Sequence, residues 1–291
     1  MKYTSFNSYL REKFGEKVYK IAIDGGFTCP NRDGKTDTRG CIFCSKGGSG
    51  DFAESRYLSV TEQINQGKKR VAKKIKNGKY IAYFQAFTNT YAPVNVLRKK
   101  YFEALGHPDI IALSIATRPD CLGEDILLLL DEVNKIKPVF VELGLQTVHE
   151  STAEYIRRGY TLDVYDAAVE NLHKIGINVV THLIIGLPGE STQDILEGVE
   201  YVCKKTDGIK LQLLHVLKGT DLEKEYKKGS VKILSLEEYT EIIKKCIDII
   251  PEHVVVHRIT GDGAKKDLIA PLWSADKKNV LNTINKVLSA K

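Results

Sequence analysis

Residues 18–51 read VYKIAIDGGFTCPNRDGKTDTRGCIFCSKGGSGD, and this stretch decides how the rest of the chain is understood. It starts as a short β-branched run, Val18 to Ile23, and passes into a glycine-dense loop in which Cys29, Cys41 and Cys44 follow a C-x11-C-x2-C spacing. A helix follows, opened by the capping box Ser59-x-x-Glu62, with Ile64, Val71 and Ile75 on one face. A strand, a loop carrying chemistry and a helix make one βα unit, and the pattern recurs along the chain.

Further strand candidates run from Tyr80 to Gln85, Ile110 to Ala116, Val139 to Leu145, Ile177 to Ile185, Ile209 to His215 and His253 to Ile259. Helical periods separate them after Pro93, over Asp125 to Lys135 and Leu162 to Ile175, and after the boxes Ser191-x-x-Asp194 and Ser235-x-x-Glu238. Strict alternation predicts parallel neighbours joined by right-handed crossovers, hence an open doubly wound sheet or a full or partial barrel. Either architecture gathers ligands at the carboxyl ends of its strands. Six βα units precede the seventh strand, so a barrel made from them is open on one side. One domain is expected over 1–260, with the cysteine loop at 24–51 and a C-terminal extension over 261–291 packed on the barrel.

Among 291 residues, 43 basic and 37 acidic ones leave a formal charge of +6, too mixed for a disordered tail and too small for a histone-like binder. The opening MKYTSFNSYLREKFGEK lacks an apolar core, and no uninterrupted apolar stretch reaches the roughly 18 residues of a membrane span. A cytoplasmic protein with no membrane partner is therefore expected. Six cysteines in so long a chain are no disulfide scaffold, and clustered thiols in a reducing compartment suit metal or redox chemistry.

Cys41 and Cys44 can converge on one metal centre, and Cys29 can join them if the glycine-rich stretch folds back. Structural zinc wants four closed ligands, and neither a histidine nor a second C-x2-C lies nearby. Three unrelated structural thiols are a further alternative. An iron-sulfur cluster on three thiolates leaves one iron open to a substrate or cofactor.

With Phe43 before its last cysteine, this loop resembles the cluster motif of the radical S-adenosylmethionine (SAM) superfamily, although the first spacer is eight residues longer than the usual C-x3-C-x2-C. Ala116-Thr-Arg118-Pro-Asp-Cys121 is similar to the TRPD segment, and Glu142-Leu-Gly-Leu-Gln146-Thr147 to the ELGxQS segment, of the branch containing the catalytic subunit of Elongator. The likeness covers nearly the whole chain, and most specifically a long-spacer bacterial family. It implies a partial (βα)6 TIM-type barrel, a [4Fe-4S] cluster on Cys29, Cys41 and Cys44, and SAM as cofactor. It also implies an electron donor such as flavodoxin or ferredoxin, and formation of a 5′-deoxyadenosyl radical that abstracts hydrogen.

By the same resemblance, Phe43, Gln85, Glu142, Gln146, Gly186 and Gly189 are the cofactor-binding candidates. Gln85 or Asn89 stands where the superfamily commonly has an acidic GGE-like segment. For Glu142, set among apolar neighbours, a buried ion pair is the alternative to the cofactor. Arg118, as a bidentate carboxylate clamp, and Cys121, beyond the same strand end, are the catalytic candidates; the alternatives are a solvated cation for Arg118, and a cap on the fourth iron or a space-filling thiol for Cys121. His182 is read as a core histidine, and Cys203 and Cys246 as packing residues. The tail around Gly261, Asp262, Gly263 and Trp273 either closes over the substrate or packs as an extension. Kinship with the Elongator branch suggests a tRNA wobble uridine as substrate, with Lys68, Lys69, Arg70, Lys73, Lys74, Lys76, Lys99 and Lys100 available to phosphates. A small molecule such as a tetrapyrrole, a peptide, and a non-catalytic zinc or iron-sulfur module are the alternatives.

Overall fold

A computed structural model describes residues 3–72, 75, 78–261 and 263–289; Lys73, Lys74, Lys76 and Asp262 lie outside them. Seven strands, β1 (Val18–Ile23), β2 (Lys79–Phe84), β3 (Ile110–Thr117), β4 (Val139–Gln146), β5 (Asn178–Ile185), β6 (Gly208–Leu213) and β8 (Val255–Arg258), form one parallel sheet in that order. Pairing ends at β1 and β8, so the sheet curls into a barrel left open between them. Its helices are α2 (Val60–Val71), α3 (Val94–Gly106), α4 (Glu124–Ile136), α6 (Leu162–Lys174), α7 (Thr192–Cys203) and α9 (Leu236–Ile249). The capping boxes at Ser59, Ser191 and Ser235 are all formed.

Alternate strand residues face outward onto these helices. Ile21 and Ile23, Leu113 and Ile115, and Val139, Val141 and Leu143 join Leu97, Leu129 and Val169 in the main core, which also takes in Cys203 and Cys246. Fully burying an aliphatic side chain of this kind contributes roughly 1.5 to 3 kcal/mol, so this shell dominates the favourable side of folding.

The open side is bridged at its base. Helix α1 (Phe6–Phe14), absent from the sequence expectation, packs against β1 and β8, and Val256 N donates to Thr4 O at 2.9 Å. Phe6 lies against His257 at 3.8 Å between ring centroids and meets Phe140 edge-on. Two short strands, β7 (Val216–Leu217) and β9 (Leu268–Ala270), pair antiparallel at the other end. They join α5 (Glu150–Tyr155) and α8 (Asp221–Lys227) around a second small core of Ile42, Ile156, Ile184, Leu222 and Ala270. Helix α10 (Lys277–Ser289) lies on α9 and buries Val280 and Ile284. Among the described residues, no helix is long and apolar enough to cross a membrane.

Candidate active site

Inward-facing residues of the strands fall into levels, as barrel interiors do. At the amino ends of the strands, Val18, Ile81, Ala112, Phe140 and Val180 pack with Leu10 of α1 into an apolar plug. The next level is polar: Lys20, Tyr83, Ser114, Glu142, His182 and Lys210 come one each from β1 to β6. Register sets Tyr83 beside Ser114 and His182 beside Lys210.

This level is one hydrogen-bonded network centred on Glu142. Both Lys20 and Lys210 pair with its carboxylate. Ser114 Oγ donates to Oε1 at 2.6 Å, and His182 Nε2 lies 2.8 Å from Oε2. Lys20 Nζ donates to Ser114 Oγ at 3.1 Å, and Lys210 Nζ to Tyr83 OH at 3.3 Å. Gln212 Nε2 meets His182 Nδ1 at 3.2 Å. An amide donating to Nδ1 leaves the proton on Nε2, directed at Glu142.

Burial alone would raise the Glu142 carboxyl, but the two lysines outweigh it and hold the group well below the usual carboxylate range. Burial pushes His182 down to about 4, with Lys210 adding to it, so the imidazole is neutral at pH 7. Burial also pushes Lys210 down to about 7, against the pull of Glu142 and helped by Lys20 and Arg258.

Above this floor the loop between β1 and α2 supplies the opposite wall. Its long spacer folds back on itself: Arg32 N donates to Cys29 O at 2.8 Å, Thr36 N to Pro30 O at 2.9 Å and Gly40 N to Asn31 O at 2.7 Å. The turn brings Cys29 to the same cavity wall as Cys41 and Cys44, with Phe43 between the latter two. Asn31 anchors it, donating to Arg157 O at 2.7 Å and to Cys41 Sγ at 3.4 Å. The Arg32 guanidinium donates to Cys44 O and Ser45 O at 3.0 and 2.6 Å and lies 5.6 Å from the Phe87 ring centroid. Ile42 N donates to Ile156 O, and Leu222 N to Ile42 O, which ties the loop to the second core.

Between wall and floor lies a cavity of about 240 Å³. Cys29, Cys41, Cys44, Phe43, Gln85, Glu142, Gln146 and Arg118 all line it. The sequence reading missed Lys210, Tyr83, Gln212 and Arg158 in the same lining, which also takes in Arg258, Gly261 and Gly263 from the tail segment. A lysine inside an otherwise apolar strand, as in Gly208-Ile-Lys210-Leu, was the signal for the first of these.

The remaining candidates are placed differently. Gly186 and Gly189 are not among the cavity's lining residues; their φ of +91° and +89° places them in the left-handed region, so the chain needs glycine there to turn from β5 toward α7. Arg118 does line the cavity, but its bidentate contact is spent on Asp120, at 2.9 and 2.7 Å, and Nη1 donates to Arg158 O. A substrate carboxylate would have to displace Asp120. Cys121 is outside the lining, its Sγ 3.8 Å from Asp120 Oδ1. Glu142 has the ion pair that was the alternative reading, and it lines the cavity as well. Asn89 is buried away from the cavity, donating to Ala116 O, which leaves Gln85 at that strand end.

The thiols suit a cluster. Burial pushes Cys41 up to about 12, with Cys44 adding, while Asn31 and Arg118 pull the other way; burial raises Cys44 against the pull of Arg32. Such thiols ionise on coordinating a metal, and amide and guanidinium donors then face the resulting charge.

A parallel half-barrel with three thiols over its carboxyl end defines the class of enzymes that use a [4Fe-4S] cluster and SAM. The chain belongs to the radical SAM superfamily, which it matches over residues 38–202, with a radical SAM C-terminal domain over 206–290. Bacillus subtilis (strain 168) YtqA is 49% identical over 99% of this chain and 89% of its own length. A tRNA uridine(34) acetyltransferase of Methanocaldococcus jannaschii is 33% identical over 52% of this chain and 28% of its own. Among solved structures, archaeal Elp3 from Methanocaldococcus infernus superposes with a TM-score of 0.69 at 19% identity, over 93% of this chain and 63% of that one.

Proposed function

We propose that this radical SAM enzyme holds its [4Fe-4S] cluster on Cys29, Cys41 and Cys44 and modifies the C5 side chain of a tRNA wobble uridine. The observation that carries the site is the cavity itself, with all three thiols on one wall and strand-end polar groups facing them. The observation that supports the substrate is the shared sequence with a tRNA uridine(34) acetyltransferase.

Cys29, Cys41 and Cys44 would hold the cluster, which with bound SAM would supply one-electron reductive cleavage of SAM and hence hydrogen-atom abstraction from substrate. The chain's own residues hold and shield that chemistry. Asn31 and Arg32 fix the loop and direct donors at the thiolate side. Gln85 and Gln146 offer amides from the ends of β2 and β4 to the polar groups of SAM. Phe43, packed against the second core, keeps water from the cluster. Arg118, tied to Asp120 and Arg158, positions the loop after β3. Cys121 belongs to that loop and not to the chemistry. Gly261 and Gly263 bring the extension over 261–291 to the cavity rim of the domain over 1–260.

The run on α2 is an ordinary solvated face in part: Lys68 pairs with Asp109 and Arg70 with Glu54. A reductant such as flavodoxin or ferredoxin and a cytoplasmic location belong to the same proposal. The test is nucleoside mass spectrometry of bulk tRNA incubated with reconstituted enzyme, SAM and dithionite. A wobble uridine changed in mass supports the proposal, whereas an unchanged profile with tRNA from a strain lacking this chain overturns its substrate half.

A further inference from the structure

Within the polar level, two lysines share one carboxylate. Lys20 contacts Ser114 and Glu142, and Lys210 contacts Tyr83 and Glu142; neither has a second acid among the described residues. His182 beside them is neutral at pH 7 and adds no charge. The groups facing Lys210 are Lys20 from β1, Tyr83 from β2, Glu142 from β4, His182 from β5, and His257 and Arg258 from β8. Once Lys210 is protonated, the two lysines exceed the single carboxylate that they share among the described residues.

Buried charge without a partner is costly, and proteins either pair it or neutralise it. Tyr83, Glu142, His182, Lys210 and Arg258 are open to the cavity, whereas Lys20 and Ser114 are behind it. Lys210 and the Tyr83 hydroxyl, which meet at 3.3 Å, are both open to an anion in the cavity.

We propose that this floor is a receptor for a carboxylate on the substrate, with Lys210 as the cation and Tyr83 as the neutral donor, both open to the cavity. With Lys210 protonated, the lysine pair exceeds Glu142 by one positive charge, which matches a singly charged carboxylate better than a phosphate dianion. The inference rests on this cavity being the reaction site and not on the substrate being RNA. Anion binding at the floor is linked to protonation of Lys210, which burial holds near pH 7 in the empty cavity.

The test uses holoenzyme reconstituted anaerobically, with sodium acetate and neutral acetamide as probes at constant ionic strength, followed by thermal stabilisation. The expected result is protection by acetate and none by acetamide, with an acetate midpoint at least fivefold lower at pH 6.0 than at pH 8.5. Saturating SAM should leave that protection in place. Lys210→Met should abolish the pH dependence and weaken acetate at least tenfold. Glu142→Gln, which removes the competing acid, should strengthen it. Equal effects of acetate and acetamide, or stronger protection by inorganic phosphate, would overturn the proposal. Loss of protection when SAM saturates would overturn it too, assigning the site to the cofactor's own carboxylate. The wild-type arms hold even if neither variant folds. Formation of 5′-deoxyadenosine in the same sample separates the two claims: cleavage without acetate preference sinks this inference alone, and acetate preference without cleavage sinks the radical SAM proposal alone.

Discussion

Glu142 shows how far single residues could be read. A glutamate among Val139, Val141, Leu143 and Leu145 announces a buried carboxylate that needs partners, and the sequence does that much. Its partners are 122 and 68 residues away on β1 and β6, and only the curl of the sheet brings them together. The pair sets the pH response. His182 falls from its ordinary value to about 4 on burial, so the unfolded chain binds its proton first and stability is lost as pH falls from 6.5 toward 4. Glu142, also held low, adds to the loss below pH 4.5. Urea denaturation should show about 3 kcal/mol lost to His182 over that window, and His182→Gln should flatten it; an unchanged slope in the variant contradicts the assignment. Replacing Glu142 by leucine should cost about 3 to 5 kcal/mol, because two lysines are left without their acid.

At the scale of elements, the cysteine loop was legible as chemistry and illegible as shape. C-x11-C-x2-C gave the ligand types, but the return of the spacer depends on Asn31 meeting Arg157 and Arg158 O atoms far along the chain. Gly48 sits at φ +56°, and a Cβ there would lie 2.4 Å from the Phe87 ring, so Gly48→Ala should displace the loop from the end of β2. We expect reconstituted Gly48→Ala to carry less than half the wild-type iron while its far-ultraviolet circular dichroism is unchanged; full iron content would contradict the seating described. The capping boxes, by contrast, were legible because their partners are three residues apart. Ser235→Ala on α9, remote from the cavity, should lower stability by about 1 kcal/mol in chemical denaturation and leave SAM binding intact.

For the whole molecule, alternation of seven strands and six helices was enough to give a parallel sheet with right-handed crossovers, and the family resemblance chose a partial barrel over an open doubly wound sheet. What covers the opening was not legible. Helix α1 has little periodicity to mark it and owes its place to Phe6 and Leu10 meeting Phe140 and the apolar plug. Phe140→Ala should cost about 3 to 5 kcal/mol at this junction, read as a lower denaturation midpoint; a change below 1 kcal/mol would mean that α1 does not seal the base. The proposed radical chemistry rests on three thiolates sharing one cluster above the polar floor. Its most direct measurement is 5′-deoxyadenosine formed from SAM and dithionite by the anaerobically reconstituted chain and by Cys29→Ala, Cys41→Ala and Cys44→Ala. Product from the wild type and none from any of the three is the predicted result; full product from one of the variants, or none from the wild type, would contradict it.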